Sequence, residues 1–442
     1  MTRFQIREIQ FFERPVKLRM PFRFGVVTLT EAPQAFARVT ILLKGRELEG
    51  AAAELLAPKW FDKNPALTNE VNFEQLRASM RSARSAYLDS ASKTAFEHSR
   101  PTVGLVENFG PALIDRAVLD ALCRGLEISF YEAVRANVPG VTFPGLDMPQ
   151  FLSYLKPGSE IAARHTVGLV DPITPADNKA PVRDGLPETL EEVIRRYGHR
   201  WFKLKVAGDA KADVERLRAI AAALDRIKEP YRASLDGNEQ YENVEGVLEL
   251  WQRMKQTPAL KRLISSIAFI EQPIKRQDAL EKDVSALSLE KPVIIDESDD
   301  SLAAFPRARA LGYRGVSSKT CKGIYKSLIN AARCAAWGED YFMTGEDLTI
   351  QPGIALQQDL ALVSVLGLKH VERNGHHYVN GMAGLPVPEQ EAFLRSHDDL
   401  YERTHGAVRL HIEKGMIRMK SLDCPGYASR AMPDWESMRH MP

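Results

Sequence analysis

Cysteine is scarce in this sequence, and its few cysteines form no recognisable binding pattern. The chain has four, none of them in a CxxC pair: Cys123, Cys321, Cys334 and Cys424. Such spacing disfavours a disulfide framework or a cysteine-based zinc site. We therefore expect reduced thiols and a cytoplasmic location.

Other features that the sequence lacks exclude further classes of function. The formal net charge is only +1, so no strong field attracts nucleic acid or an anionic membrane. No uncharged apolar run reaches about 18 residues, and the charged N-terminal stretch lacks the apolar core of a secretory signal. The GxGxxG and GxxxxGK[ST] motifs are both missing, which removes support for a dinucleotide or P-loop site. We expect no nucleic-acid partner and no membrane partner.

The order of predicted elements changes along the chain. Strand-like segments up to about residue 55 are followed by helical periodicity from about 70 to 139, which predicts an α+β domain over residues 1–145. Residues 146–385 alternate helical segments with eight short apolar runs: RHTVGLV, WFKLKVA, YRASLDGN, SSIAFIEQP, KPVIIDES, YRGVSSK, DYFMTGE and KHVERNG. Alternating β and α units predict a parallel sheet, and eight of them predict an α/β barrel.

Two segments lie outside this rhythm. Residues 171–192 are rich in proline and charge, and are predicted to form a long loop leading into a helix. In the C-terminal segment, residues 386–442, VRLHIEKGMIRMK predicts a hairpin that turns at Glu413, Lys414 and Gly415. We expect this segment to return to the first domain.

Charged residues stand at the ends of the predicted barrel strands. Lys203 and Lys205 share one face of their strand, because side chains alternate between faces. Taken alone, this pair favours a solvent-exposed face, because charged residues are mostly surface residues. Three acids follow on the next three strands and a lysine on the fourth: Asp236, Glu271, Asp296 and Lys319. Active sites of barrels form at the C-terminal ends of the strands, so this pattern favours a catalytic set.

The three acids suggest a metal site. Convergent carboxylates without histidine or cysteine favour a hard cation, and Mg²⁺ is the natural choice, with Mn²⁺ as an alternative. The competing interpretation is three structural acids paired with arginines. Because neighbouring residues of a strand point to opposite sides, at most one of Asp296 and Glu297 faces the site.

These motifs, in this order, resemble the enolase superfamily: the LKLK-type strand, LDGN, IEQP, IDES and SSK. The chain resembles the mandelate racemase/muconate lactonizing enzyme group, in particular its muconate lactonizing branch with a Lys-x-Lys motif. AVLDALCRGLEISFYEA resembles the last helix of the family's capping domain, and GMIRMKSLDCPGYA its C-terminal segment. The resemblance implies a modified (β/α)7β TIM barrel with an α+β cap.

The resemblance also implies roles for individual residues. Asp236, Glu271 and Asp296 would bind one Mg²⁺, with the first acid of IDES as the third ligand. Lys205 and Lys319 would be the acid/base pair on opposite faces of the substrate. Three further roles are implied: Lys203 would supply a like charge behind Lys205 and contact the substrate carboxylate, and Glu372 would hydrogen-bond the enolate.

Substrate contacts are expected from the cap and from strand ends. The stretch RMPFRFG lies where the family's cap loop covers the site; Arg19 and Arg23 could bind a second anionic group and Phe22 could close over an apolar part, although a surface hairpin is equally compatible. Asn238 and either Glu346 or Asp347 could also reach the substrate. The family's alternative histidine on strand seven is missing, and His370, His376 and His377 near strand eight are expected to have structural roles.

The expected activity is proton abstraction α to a carboxylate of a small carboxylic acid, giving an enolate. Racemisation, epimerisation or cycloisomerisation would follow, and dehydration of a hydroxy or sugar acid is the alternative. A Schiff-base aldolase and a non-catalytic barrel are further alternatives. We also expect a homo-oligomer.

Overall fold

Two long antiparallel strands begin the chain and form a sheet with a third strand and with the C-terminal end. The structure is a computed structural model and describes residues 2–25, 27–88 and 91–442. The sheet order is β15-β1-β2-β3, with β1 at Gln5–Phe24, β2 at Val27–Leu43, β3 at Arg46–Leu55 and β15 at Arg439–Met441. Lys44 and Gly45, which join β2 to β3, have φ of 50° and 79°, as a two-residue type I′ hairpin requires.

Helices cover this sheet and connect it to the rest of the molecule. Their bounds are α1 Asn69–Tyr87, α2 Ala95–His98, α3 Phe109–Leu126, α4 Phe130–Arg135 and α5 Met148–Ser153. Helix α3 is buried from Phe109 to Cys123, because it packs on β3 on one side and on the turn at Thr320–Lys322 on another. It therefore joins the sheet to the barrel.

Gly50 on β3 is the point at which α3 approaches the sheet most tightly. A Cβ atom there would lie 2.2 Å from the backbone nitrogen of Ala121 and 2.3 Å from the carbonyl oxygen of Ala117. Since backbone atoms cannot rotate away, we expect Gly50→Ala to lower the free energy of unfolding by about 3 kcal/mol in urea denaturation. Gly158→Ala, whose Cβ meets only the Glu160 carbonyl at 3.4 Å, is the control. Equal stability of the two variants would contradict this packing.

A closed parallel barrel follows the helices. Within residues 91–442, all of which are described, its eight strands are β4 Glu160–Val167, β5 Trp201–Lys205, β6 Arg232–Asp236, β7 Ile267–Glu271, β8 Val293–Ile295, β9 Gly315–Ser318, β10 Phe342–Gly345 and β11 His370–Glu372. Strands β11 and β4 pair in parallel and close the barrel. The eight predicted strands and the modified TIM barrel with a separate cap sheet are confirmed.

Helices alternate with the barrel strands, and several begin at the polar residues that favour helix starts. Asp209 caps α7 and Asn243 caps α8 through their side chains. The bounds are α6 Leu190–Tyr197, α7 Ala210–Leu224, α8 Val244–Lys255, α9 Lys261–Ser266, α10 Arg276–Ala279, α11 Ser285–Glu290, α12 Ala304–Ala310, α13 Ile324–Trp337, α14 Ile354–Val365, α15 Gly375–Tyr378 and α16 Val387–Ser396. Among the described residues, no helix is both long and apolar enough to cross a membrane.

The predicted C-terminal hairpin is wrong in its pairing. Strands β12 (Tyr401–Thr404) and β13 (Ala407–Leu410) pair with each other, and β14 (Met416–Arg418) pairs antiparallel with β4. Across the predicted turn only a single bridge joins Glu413 and Met416. The reason is that β4 begins four residues before its first pairing with β5 at Arg164, so residues 160–162 offer a free edge that β14 occupies.

Candidate active site

The carboxyl ends of neighbouring barrel strands carry the charged residues predicted from the sequence. Lys205, Asp236 and Glu271 are direct cross-strand neighbours in the register of β5, β6 and β7. Asp296 directly follows β8, and Lys319 directly follows β9. All five residues are buried. The structure therefore brings the predicted acids and lysines together at one end of the barrel.

Each of the two predicted acid/base lysines makes an ion pair with one of the acids. Lys205 Nζ lies 2.6 Å from Asp236 Oδ2, and Lys319 Nζ contacts Asp296 Oδ2. Burial opposes charge on Lys319, but the Asp296 carboxylate outweighs it and raises the pKa of the ammonium group above its ordinary value. Lys319 Nζ also lies 4.3 Å from the ring centroid of Trp60, a cation–π contact. Both ammonium groups thus have fixed positions.

Lys203 lies deeper in the barrel and is surrounded by carboxylates. Its Nζ contacts four of them at 2.7–3.1 Å: Asp236, Glu271, Glu346 and Glu372. Burial favours the neutral amine, yet these carboxylates outweigh it and raise the pKa of Lys203 well above its ordinary value. Lys203 and Lys205 contact the same oxygen, Asp236 Oδ2. Lys203 is therefore a permanent positive charge beside Lys205.

The acid cluster fits a hard divalent cation. Asp236, Glu271 and Asp296 offer only carboxylate oxygens, which Mg²⁺ and Mn²⁺ prefer. Glu271 Oε2 is buried and has no hydrogen-bond partner among the described residues. Burial, followed by the negative charges of Asp236 and Glu346, raises the pKa of the Glu271 carboxyl well above its ordinary value. Lys203 thus compensates only part of the negative charge around Glu271, and a bound divalent cation would balance the rest.

Asn238 contacts both Asp236 and Glu297 and borders the pocket above the lysines. Its backbone N–H donates to Asp236 Oδ1 at 2.9 Å, and its side-chain amide donates to Glu297 Oε1 at 3.1 Å. Asp296 instead contacts Lys319, as expected if these neighbouring acids point to different sides. Asn238 is therefore placed both to orient the acids and to contact a substrate.

A pocket lies over the lysines, between the end of the barrel and the cap. Its cap wall is apolar and consists of Phe22, Phe24, Leu29, Ala57 and Trp60. Its barrel wall is polar and includes Lys203, Lys205, Lys319, Asn238, Asp347 and Glu372. The predicted position of Phe22 over the site agrees with this arrangement. The pocket suits a small molecule with an anionic end and an apolar end.

The two arginines of the cap loop require a correction. Arg19 forms a bidentate ion pair with Asp184, with N–O distances of 2.6 and 2.7 Å, and also donates to the His377 carbonyl. Arg23 is exposed, and neither arginine borders the pocket. The expectation that they bind a second anionic group of the substrate is therefore wrong for this arrangement. Arg19 instead anchors the predicted loop of residues 171–192, which leads into α6 as expected.

Of the two acids expected after β10, only one borders the pocket. Glu346 is fully buried beneath the pocket, paired with Arg164 and Lys203, so it does not reach a substrate there. Its neighbour Asp347 borders the pocket instead. Both residues follow the end of β10, where Glu346 contacts Lys203 and Asp347 lies at the pocket.

Glu372 borders the pocket but is committed to other partners. Thr166 Oγ1 donates to its Oε1 at 2.6 Å, and Lys203 and the Asp347 N–H donate to its Oε2 at 3.1 and 3.2 Å. Burial opposes ionisation, but Lys203 and then Lys205 outweigh it and hold the pKa of Glu372 well below its ordinary value. An ionised carboxylate cannot donate a hydrogen bond, so in this arrangement Glu372 holds Lys203, and its bond to an enolate stays a prediction.

Some residues of the site had no clear signal in the sequence. Trp60 comes from an irregular cap segment, and only the structure places its ring over Lys319. Lys322, three residues after Lys319 in SSKTCKG, is buried and lies 3.2 Å from Asp299 and 3.4 Å from Asp296. Its spacing from Lys319 could have suggested a second cation at the end of β9.

A histidine cluster lies outside the pocket, on the outer side of the barrel wall. One ring nitrogen each from His165, His199 and His376 lies within 4.8 Å of the other two. On β4 the neighbours Arg164 and Thr166 point inward to acids, so His165 points outward. Burial, and then neighbouring rings, hold the pKa of His165 and His376 well below the usual value, and burial lowers that of His199 to about 4. All three rings are neutral at pH 7.

We compared the sequence and the fold with those of known proteins. No relative is found among curated proteins. A muconate lactonizing enzyme from Mucobacterium Smegmatis, complexed with muconolactone, superposes with a TM-score of 0.67 at 18% identity, covering 99% of this chain and 100% of that one. An N-succinyl Arg/Lys racemase from Bacillus cereus gives 0.64 at 16% identity, with coverages of 98% and 96%.

A third structure, an enolase superfamily member from Roseovarius nubinhibens complexed with magnesium, gives a TM-score of 0.58 at 16% identity, with coverages of 100% and 99%. At these identities the structures establish the fold. The family assignment comes from residues 185–428, more than half of the chain, which match the model of the enolase C-terminal domain-like family. The chain therefore belongs to this family, within the mandelate racemase/muconate lactonizing enzyme group of the enolase superfamily.

Proposed function

We propose that the protein is a Mg²⁺-dependent enzyme of the muconate lactonizing branch that removes the α-proton of a small carboxylic acid and then racemises, epimerises or cycloisomerises it. One observation carries the proposal. Lys205 and Lys319 border a single pocket, and the strands between theirs carry Asp236, Glu271 and Asp296 in order. This arrangement provides two proton-transfer groups on different sides of one candidate metal centre.

The three carboxylates would hold the divalent cation, and their oxygen-only composition and the unpartnered Glu271 Oε2 support this assignment. When bound, the cation supplies electrostatic stabilisation of the negative charge that develops on the substrate carboxylate. Lys203 adds a fixed positive charge from the protein itself. Its ammonium group is oriented by four carboxylates, so it needs no reorganisation during the reaction. Glu372 is a positioning residue for Lys203.

Proton transfer falls to the two lysines at the pocket. Lys205 on β5 acts as the base that accepts the α-proton, and Lys319 after β9 returns a proton from the other side. Racemisation results when both steps occur on the same carbon. Lys319 is fixed by Asp296 and by the face of Trp60, so its Nζ has a defined direction toward the pocket. General acid–base catalysis by such positioned groups contributes about 10²- to 10⁴-fold in rate.

The cap wall favours an acid with an apolar substituent. Phe22 and Phe24 lie 5.1 Å apart between ring centroids, and Phe22 stacks on Tyr378 at 4.2 Å, so this wall is rigid. A polyhydroxylated sugar acid would lose the hydrogen bonds of its hydroxyl groups against these rings. The pocket therefore favours isomerisation of an apolar or N-acylated acid over dehydration of a sugar acid.

Deuterium exchange tests this function directly. The full chain with Mg²⁺ is incubated in D₂O with a panel of carboxylic acids, half with apolar or N-acyl substituents and half sugar acids, and α-deuterium and water loss are followed by NMR and mass spectrometry. We expect α-exchange in the first half and little in the second. Exchange that persists undiminished after all divalent cations are chelated would contradict the proposal. So would a borohydride-trapped ketone adduct on Lys205 or Lys319, which indicates Schiff-base chemistry.

A further inference from the structure

We infer that His165, His199 and His376 form a second metal site, one that binds a single Zn²⁺-like transition-metal ion on the outside of the barrel. The three residues come from β4, from the turn before β5 and from α15. Their ring centroids form a nearly equilateral triangle with sides of 5.2, 5.3 and 5.4 Å. The site is separate from the carboxylate cluster, which faces the barrel interior.

The distance between two of the ring nitrogens matches tetrahedral coordination. His165 Nδ1 and His376 Nε2 face each other at 3.3 Å. Two nitrogens bound to one tetrahedral Zn²⁺ at its usual bond length lie about 3.4 Å apart. The same spacing is long for a hydrogen bond between two rings, which is usually near 3.0 Å. Both nitrogens are therefore better placed to share an ion than to share a proton.

His199 has the hydrogen bonding expected of a metal ligand. Its Nδ1 lies 3.0 Å from the Ala163 carbonyl oxygen, which can only accept, so Nδ1 carries the proton. Its Nε2 then carries a lone pair, is buried and has no hydrogen-bond partner among the described residues. Metal-binding histidines almost always donate their other ring N–H to a carbonyl or carboxylate in this way. The lone pair of His199 Nε2 therefore has no partner within the protein, as expected of a nitrogen that binds a metal ion.

The chemistry of the cluster selects the type of ion. Imidazole nitrogens suit Zn²⁺ and neighbouring transition metals, whereas Mg²⁺ prefers oxygen. An ion can reach the cluster at His376, which is partly exposed and borders a narrow pocket together with Tyr197 and Arg409. A water molecule can complete the coordination. A bound ion would link three parts of the barrel: β4, the segment just before β5, and α15, which follows β11.

The test is metal binding by the full-length, tag-free protein. After chelator treatment, the protein is titrated with Co²⁺ and, separately, with Zn²⁺, with saturating Mg²⁺ present to block the carboxylate site. We expect one equivalent per chain and the intense visible absorption of tetrahedral Co²⁺. His376→Gln should weaken Zn²⁺ binding by at least about 100-fold. His405→Gln, at an exposed histidine, is the matched control and should bind as the wild type does.

Two results would overturn the inference: a Co²⁺ spectrum without tetrahedral bands, or His376→Gln binding Zn²⁺ as tightly as the wild type. His199→Gln supplies an independent second variant, with the far-UV circular dichroism of each metal-free variant showing that it is folded. Loss of Co²⁺ absorption in both variants, with Asp236→Asn unaffected, supports the histidine site and separates it from the carboxylate site.

Discussion

Lys205→Ala and Lys319→Ala are each expected to lower kcat for the exchanging acid by about 10²- to 10⁴-fold, the range that one positioned acid or base contributes. Each lysine is buried and borders the same pocket, so neither can be replaced by solvent or by a mobile neighbour. Lys228→Ala, at an exposed lysine outside the site, is the control and should leave kcat unchanged. The measurement is steady-state kinetics with the acid identified by exchange.

The two variants should also differ in stereochemistry. If Lys205 and Lys319 act on opposite faces, each variant loses α-deuterium exchange from one enantiomer and keeps it for the other. NMR of each pure enantiomer in D₂O distinguishes this result from a general structural loss, which would slow both alike. Exchange of both enantiomers by the double variant would contradict the assignment of the two lysines as the bases.

The barrel could be predicted from the sequence because its strands have local signals. Each is a short apolar run followed by a turn residue or a charge, and the intervals leave room for one helix. The C-terminal hairpin could not be predicted in the same way. The alternating pattern of VRLHIEKGMIRMK specifies strands but not their partners, and β14 pairs with a free edge of β4 that lies about 250 residues earlier in the chain.

The residues of the site that lie at the ends of barrel strands could be predicted from the sequence. Asp236 and Glu271 could be placed together because both end parallel strands at the same edge of the barrel. Contacts made by loops were not predictable. Arg19 is held by Asp184, 165 residues away, on a loop whose course has no periodic pattern. The ionisation of Glu372 depends on Lys203, which only the three-dimensional arrangement brings to it.

We expect Glu271→Gln to abolish the stabilisation by Mg²⁺ while the metal-free protein still folds. In the wild type, Mg²⁺ at 100 times its Kd is expected to raise the free energy of unfolding by about 2.7 kcal/mol, because it binds only the folded chain. The variant lacks one carboxylate ligand and should lose this stabilisation. Glu245→Gln makes the same change at an exposed acid and should keep it. Denaturation with and without Mg²⁺ measures both effects.

Without the metal, Glu271→Gln is expected to be at least as stable as the wild type at neutral pH. Burial, Asp236 and Glu346 raise the pKa of Glu271 above its ordinary 4.5, so the metal-free wild type loses stability as the pH rises past this value. A neutral glutamine removes that loss, while its amide oxygen can still accept from Lys203, as Glu271 Oε1 does at 2.9 Å. Equal Mg²⁺ stabilisation of variant and wild type would show that Glu271 is no ligand, because the ion would then bind without it.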